Sequence, residues 1–520
     1  MARTSGYKVV LTASATEMSD FYNNPFVAFV GGFAKGPIPL WFTRNWLYPP
    51  TGQDGEGRAR YAPYGLRKIE ALLLDNGFSE SDVAVVHPRD LAAFIGPDTK
   101  AVGISSMDPT GMAYVSKTYS TLVGGGDPMN AIEFRELVTH PAIRRHKPKV
   151  IVGGFGSWQL ERKKVSDSYG VDCVVIGEGE QIATEIFRKA VKGEPLQRVV
   201  RIQRSTENEK VPLIRHPAVH GCVEISRGCG RNCQFCTPTM QKKRDAPLER
   251  ILHEAKTTVS QGSSMVTLVT EDLFIYGCKD PKFIPNREAV VNLVKNVASV
   301  PGVKSIQPSH TSLAPVVADP HMVEEAAEIL LERYWYTLGN KPIVTSEVGL
   351  ETGSVRLMRK YMTGKMLPYK PEQWKEVVTQ SFGIMNDSDW YPLGTIIVGL
   401  PEETEEDVNE TLVMLDMLHD YKAFYVPLFF VPLENCILMN RKGTEVDTLT
   451  QKRWEVLIRC WEYNVRIWRD SFLQHRIRNP LMYKLVRNVA IPFGARAAGI
   501  YYGLKHGKAM TDAIWRMATA

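Results

Sequence analysis

The chain has 520 residues, 44% hydrophobic and 23% charged. That balance suits a globular protein of about three domains and excludes a disordered, coiled-coil or collagen-like chain. Sixty-three basic and 57 acidic residues leave +6, but 476–520 carry eight Lys/Arg against Asp512 alone, a local +7. The rest is near neutral, so the bulk of the chain is not a nucleic-acid binder by charge. No apolar run approaches the roughly 18 residues of a membrane span, and MARTSGYKVVLTAS lacks the apolar stretch of a signal peptide. Eight cysteines are too sparse for a disulfide scaffold and fit a reducing, cytoplasmic location.

The first 200 residues alternate strand and helix patterns. Tyr7–Ser14, Val83–Val86, Ala101–Ser105, Lys149–Val152 and Asp172–Ile176 read as strands, and Gly65–Leu74 has apolar residues at helical spacing. This alternation predicts a parallel, doubly wound sheet, whose ligands bind at the carboxyl ends of the strands. Glycines fall there, in Gly153-Gly154-Phe155-Gly156 and Gly177-Glu178-Gly179. The polar stretch 201–220 reads as a linker. Six further strands follow: Cys222–Ser226, Met265–Thr270, Val303–Ser309, Ile343–Val348, Tyr391–Val398 and Phe424–Val431. Helical segments such as Leu248–Ser260, Arg287–Ala298 and Glu403–Leu418 separate them. Six units are too few for an eight-unit barrel and suit a partial one over 221–435. Residues 436–520 read as helices, the longest Gln451–His475.

The strongest signal is Cys229-Gly-Arg-Asn-Cys233-Gln-Phe235-Cys236, directly after the first strand of that barrel. A structural zinc site closes with four ligands, which Cys222 or His220 could complete. A cubane held by three thiolates leaves one iron open to a ligand. C-x3-C-x2-C in this position resembles the radical S-adenosylmethionine (SAM) superfamily. The resemblance implies a [4Fe-4S] cluster on Cys229, Cys233 and Cys236. It also implies SAM contacts at Phe235, at Glu271 and Asp272 after the second strand, and at Glu347, Glu351 and Ser354 on the fourth. Ile397, Gly399 and Glu402 on the fifth complete the set, although Thr395 stands where the family has glycine.

The preceding α/β domain (1–200) resembles the cobalamin-binding domain of the class B radical SAM methyltransferases. The matching pieces are Tyr64-Gly65-Leu66, Val102–Ser106 and the two glycine turns. That resemblance implies cobalamin contacts at Ser105, Ser106, Met107, Gly153, Gly154, Phe155, Gly156, Gly177, Glu178 and Gly179. A D-x-H-x-x-G motif is absent, so cobalt is expected base-off without a histidine below it; Tyr22, Asn23, Asn24 and Ser106-Met107-Asp108 are the candidates for that face. The first 60 residues look like an added segment in which Trp41, Trp46 and Tyr48 serve packing.

Together these implications describe a C-methyltransferase. SAM is cleaved to a 5′-deoxyadenosyl radical, the radical takes hydrogen from an unactivated carbon, and methylcobalamin supplies the methyl group. A flavodoxin- or ferredoxin-type donor is expected as electron source. The opening segment, the APYGLRK run and the helical tail look most like enzymes of protein modification, which suggests a glutamine of methyl-coenzyme M reductase as substrate. A lipid or isoprenoid substrate and a non-enzymatic corrinoid or metal carrier are the alternatives. The basic tail, with Tyr483, Tyr501, Tyr502 and Trp515 interleaved, reads either as a solvated cap or as a substrate-docking surface.

Overall fold

The computed structural model describes residues 5–36, 38–122, 125–476 and Lys484. The chain divides into two compact units: Met1–Glu224 with Ala246–Thr267 and Val300–Val303, and Ile225–Asp245 with Leu268–Ser299 and Lys304–Ala520.

In the first unit, β1 (Val9–Ala13), β2 (Val83–Val85), β3 (Ala101–Ser105), β4 (Lys149–Gly153), β5 (Cys173–Ile176) and β6 (Val199–Arg201) form one sheet in the order β2-β1-β3-β4-β5-β6. Every neighbouring pair is parallel. Buried β-branched runs such as VVLTA in β1 fit a sheet covered on both faces. The chain moves one way from β1 to β2 and the other way from β3 onward, so the order reverses between β1 and β3. The expected doubly wound sheet is present, with β6 as a strand the sequence pattern did not signal.

The helix Tyr64–Asp75 starts behind Pro63 and buries Leu66, Leu72 and Leu73 in one core with Val9 and Leu11 of the sheet and Phe187 of the helix Ala183–Lys192. Each such side chain contributes about 1.5–3 kcal/mol relative to exposure. The opening segment is fastened at the helix Met129–Val138, where Arg44 Nε and Tyr48 OH each lie 2.9 Å from the buried Glu133 carboxylate. Tyr48 packs as expected, but Trp41 and Trp46 do not: they are 65% and 66% exposed.

The remaining strands are β7 (Cys222–Glu224), β8 (Ser226–Arg227), β9 (Arg244–Asp245), β10 (Met265–Val269), β11 (Ser305–Pro308), β12 (Tyr336–Leu338), β13 (Lys341–Ile343), β14 (Glu347–Glu351), β15 (Leu393–Val398) and β16 (Phe424–Phe429). Within the second unit the rungs run in one sense. Ile225 N–H donates to Val269 O, Ser309 N–H to Leu268 O, and Glu347 N–H to Ser309 O. β14, β15 and β16 then pair in parallel. This is the expected partial barrel. Its fourth strand lies further on than the pattern suggested. Gly339-Asn340 closes β12 and β13 into an antiparallel hairpin, which takes Ile343 out of the barrel and leaves Glu347–Glu351 as the barrel strand.

The open edge of β16 is covered by the helix Gln451–Arg476. Asn464 donates to Tyr425 O (2.6 Å) and accepts from Tyr425 N–H (2.7 Å), and Trp468 Nε1 donates to Ala423 O (2.8 Å). A side-chain amide thus substitutes for a neighbouring strand at an exposed edge. The helix Leu248–Ser260, expected with the barrel, groups with the first unit. Among the described residues no helix is long and apolar enough to cross a membrane. The basic tail beyond Arg476, apart from Lys484, lies outside the described residues.

Candidate cluster site and ligand-binding edge

The cysteine loop is shaped by its own backbone. Cys229 N–H donates to Pro238 O (3.2 Å) and Cys236 N–H to Cys233 O (3.1 Å). Thr239 Oγ1 reaches the carbonyls of Cys233 (2.9 Å) and Cys236 (3.1 Å). Cys229 and Cys233 are buried, Cys236 half-buried, and Phe235 half-buried between them. Burial pushes all three thiols up, Cys233 to about 12. Ionising such a group of thiols requires a cation in their midst, which is what iron supplies. Among the described residues no three His, Cys, Asp or Glu side chains group to hold a metal ion.

The expected SAM residues separate into two sets. Asp272 is buried: its carboxylate accepts from Phe274 N–H, Ser312 N–H and Arg231 Nη2 (3.1 Å each) and from the Ser312 hydroxyl. Glu271 beside it is exposed. Ser354 is fully buried, caps the helix Val355–Tyr361 through Leu357 N–H (3.2 Å) and donates to Asp407 (2.5 Å). Asp272 and Ser354 therefore have scaffold partners, whereas Glu271 is exposed. Glu347 is half-buried, 3.6 Å from His310 Nε2.

Glu351 is buried with φ +61°, a strained backbone for a non-glycine residue, and accepts from Lys365 Nζ at 2.8 Å. Burial pulls the Lys365 pKa down; Glu351 and the Cys233 sulfur pull it up, and the net shift is upward. On β15, Ile397 is half-buried, and Gly399 N–H donates to Glu403 Oε2 at 3.0 Å. Glu402 points outward to Lys360 and lies 3.8 Å from Arg441. The acid facing the Gly399 turn is thus Glu403, itself 2.8 Å from Arg453 Nε. Arg231, Lys365 and Glu403 were not singled out from sequence. Arg231 stood in plain view inside the cysteine motif; the other two sit at no recognisable spacing.

In the first unit, the residues expected to contact a ligand gather at the carboxyl edge. Ser105 and Ser106 end β3, and Gly153 to Gly156 end β4. Ser106 N–H donates to Gly153 O (3.0 Å), and Gly156 N–H donates to Ser106 O (2.9 Å). Gly154, at φ +91°, leaves no room for a side chain: a Cβ there would lie 2.7 Å from Ser106 N. Gly177, Glu178 and Gly179 follow β5, and Glu178 accepts from Thr206 N–H at 2.7 Å. Met107 and Phe155 project from this edge, 54% and 44% exposed. Glu17, after β1, accepts from Met107 N–H (3.1 Å) and Ser14 Oγ (3.1 Å), and burial lifts its carboxyl to about 7. It was not foreseen, because a lone acid after a strand carries no motif. The edge faces the point where strand order reverses, the place an open α/β sheet offers a ligand.

Known proteins agree with this architecture. Residues 223–415 match the family model described as the radical SAM superfamily. A tRNA-2-methylthio-N(6)-dimethylallyladenosine synthase of Thermotoga petrophila is 25% identical over 69% of this chain and 74% of its own length. The fold resembles that of the radical SAM methyltransferase TsrM from Kitasatospora setae, solved with cobalamin and a [4Fe-4S] cluster bound (TM-score 0.52, 13% identity, 99% of both chains). It also resembles the cobalamin-dependent SAM radical enzyme OxsB, solved with aqua-cobalamin and SAM (TM-score 0.53, 12% identity, 99% of this chain and 78% of that one). A three-cysteine loop after the first strand of a partial barrel, together with that family match, makes residues 223–415 a radical SAM superfamily domain, and with it come a [4Fe-4S] cluster and SAM.

Proposed function

We propose that the chain is a cobalamin-dependent radical SAM C-methyltransferase acting on an unactivated carbon. The observation that supports the reading most is the pairing of two features in one chain. One is a three-thiol loop on a partial barrel, with Cys229 and Cys233 buried. The other is a doubly wound sheet whose carboxyl edge is built from close-approach turns. When bound, the cluster, SAM and cobalamin supply the electron, the radical and the methyl group. The protein's residues position and enclose. Cys229, Cys233 and Cys236 would hold the cluster. Glu271, Glu347 and Glu351 offer carboxylates to the amino and hydroxyl groups of SAM, while the Gly399 turn offers its backbone. The turns at Ser105–Met107, Gly153–Gly156 and Gly177–Gly179 would admit a corrinoid, with Met107 and Phe155 against it. Side-chain acid–base catalysis is not required for such a reaction.

The substrate class we propose is protein, with a glutamine of methyl-coenzyme M reductase as the specific target, a flavodoxin- or ferredoxin-type electron donor and a cytoplasmic setting. The curated relatives favour a second reading, methylthio transfer to tRNA. The near-neutral charge outside the tail opposes an RNA substrate. The test is anaerobic incubation of reconstituted protein with SAM, cobalamin and a reductant on peptide, lipid and tRNA, read by mass spectrometry. One added methyl on the peptide supports the proposal. Methylthio addition to tRNA, or SAM cleavage without added cobalamin accompanied by full product, overturns it.

A further inference from the structure

The residue between the first two cluster cysteines does more than span them. Arg231 is 4% exposed, and its guanidinium is held on all sides but one. Nη2 donates to Asp272 (3.1 Å) and to Ser312 Oγ (3.1 Å), and Nη1 donates to the carbonyls of Lys365 (3.1 Å) and Gly364 (3.3 Å). The guanidinium carbon lies 4.5 Å from the centre of the Phe283 ring. The side left over is Nε, a buried N–H without a partner among the described residues. A buried, unpaired guanidinium N–H is costly. Here it belongs to a residue whose charge acts on both Cys229 and Cys233 and whose backbone N–H already donates to the Cys229 sulfur.

We infer that Arg231 is a tuning and positioning residue for the cluster: its Nε–H is reserved for a sulfur of the bound cluster, and its charge, balanced by Asp272, sets how readily the cluster accepts an electron. The inference rests on the cluster assignment to Cys229, Cys233 and Cys236. It does not depend on cobalamin or on the substrate. Hydrogen bonds to the sulfurs and local net charge are the levers by which a protein sets an iron–sulfur potential. On reduction the cluster gains one electron from the reductant and one negative charge, so a fixed cation beside it favours the reduced form. Asp272 opposes that effect and holds the guanidinium in place. The carbonyls of Gly364 and Lys365 tie this device to the segment that carries the Lys365–Glu351 pair.

The two halves of the ion pair make the idea testable, because they carry opposite signs. A purely structural latch is broken in the same way by Arg231→Gln and by Asp272→Asn, and both variants then shift in one direction. A tuning device makes them diverge. The experiment is a potentiometric titration of anaerobically reconstituted full-length protein without substrate, with reduced cluster read by electron paramagnetic resonance and each sample matched for iron content. Arg231→Gln is expected to make reduction at least tenfold harder, a fall of about 59 mV for one electron. Asp272→Asn is expected to move the potential the other way. Arg231→Lys, which keeps the charge and loses the fork, should lie nearer the wild type than Arg231→Gln does. If Arg231→Gln does not retain a cluster, Asp272→Asn carries the test: a rise in potential at equal iron content supports the inference, and a fall or no shift overturns it. Shifts of one sign in the charge variants, or no shift at equal iron content, overturn the inference. A protein that binds zinc and no iron fails the cluster assignment instead, before any potential is measured.

Discussion

The buried charge in the first unit gives the sharpest stability test. Lys68, on the helix Tyr64–Asp75, lies 2.5 Å from Glu254 Oε1, and each side chain is 3% exposed. Lys68 also donates to Pro212 O (2.7 Å). Glu254 also accepts from Tyr64 OH (2.6 Å) and Ile214 N–H (3.1 Å). Glu254→Gln keeps the volume and leaves acceptors for Lys68 and Ile214, so the change removes little besides the negative charge. Lys68 then loses the carboxylate at 2.5 Å and keeps the Pro212 carbonyl, with the Tyr64 ring centre 4.8 Å away. Removing one partner of a buried pair costs about 3–5 kcal/mol, because the other buried charge loses that counter-charge. For a unit of this size that is a fall in Tm of roughly 6–20 °C, at 2–4 °C per kcal/mol. Replacing both partners by apolar residues, Lys68→Met with Glu254→Leu, removes both charges and should recover stability to within about 2 kcal/mol of the wild type. The assay is urea unfolding of the single and double variants at one pH and salt concentration, monitored by far-ultraviolet circular dichroism. A loss below about 1 kcal/mol for Glu254→Gln, or a double variant no better than the single one, would refute the reasoning.

Three further outcomes are expected. Replacing Cys229, Cys233 and Cys236 together with Ala should abolish the visible cluster absorbance and SAM cleavage, and iron analysis of the anaerobic protein checks it. Burial lifts the Glu403 carboxyl from 4.5 to about 7 against the pull of Arg453, and its side chain is only 4% exposed. The folded state then binds a proton that the unfolded chain has released, so stability falls as pH rises from about 4.5 to about 7, by about 3 kcal/mol in all; Glu403→Gln should remove that slope in unfolding titrations across the window. Gly364→Ala should destabilise by roughly 1–3 kcal/mol and lower iron loading, because the new Cβ would lie 2.0 Å from Arg231 O; normal loading and an unchanged midpoint in denaturant would contradict this.

The parts legible in the sequence were those where chemistry or period imposes a pattern. C-x3-C-x2-C places three thiols on a loop of fixed length, and strand–helix alternation gives a parallel sheet whatever its loops do. The fourth barrel strand shows the limit. Ile343–Val348 is richer in β-branched residues than Glu347–Glu351, so propensity favoured the wrong frame, and the turn at Gly339-Asn340 and pairing to β15 decided it. Which acid faces the Gly399 turn is a one-residue effect. Glu402 adopts φ +61°, and that left-handed step turns its side chain out to Lys360 while Glu403 turns in to Gly399. Asp272 and Ser354 each sit at the start of a short helix, where an acidic or hydroxyl side chain satisfies a free N–H group as a cap, a role the motif pattern did not signal.

Arg231 and Lys365 show why a radical enzyme is only half-readable from sequence. Bound cofactors carry the reaction, so the motifs that persist are cofactor ligands, and they look alike whatever carbon is modified. The protein's own contribution is a local field and an enclosure, built from cations whose importance lies in what they face. A guanidinium facing Asp272 and two cluster thiols is chemically distinct from one on a surface, although both are a single letter. The same reasoning locates where substrate identity must reside. It cannot lie in the cysteine loop or the glycine turns, which cofactors would occupy. It falls to segments with no cofactor role, and two stand out: the opening segment, where Trp41, Phe42 and Trp46 are exposed, and the basic, aromatic 476–520. Exchanging either segment should change which molecule is modified while leaving substrate-free SAM cleavage in place.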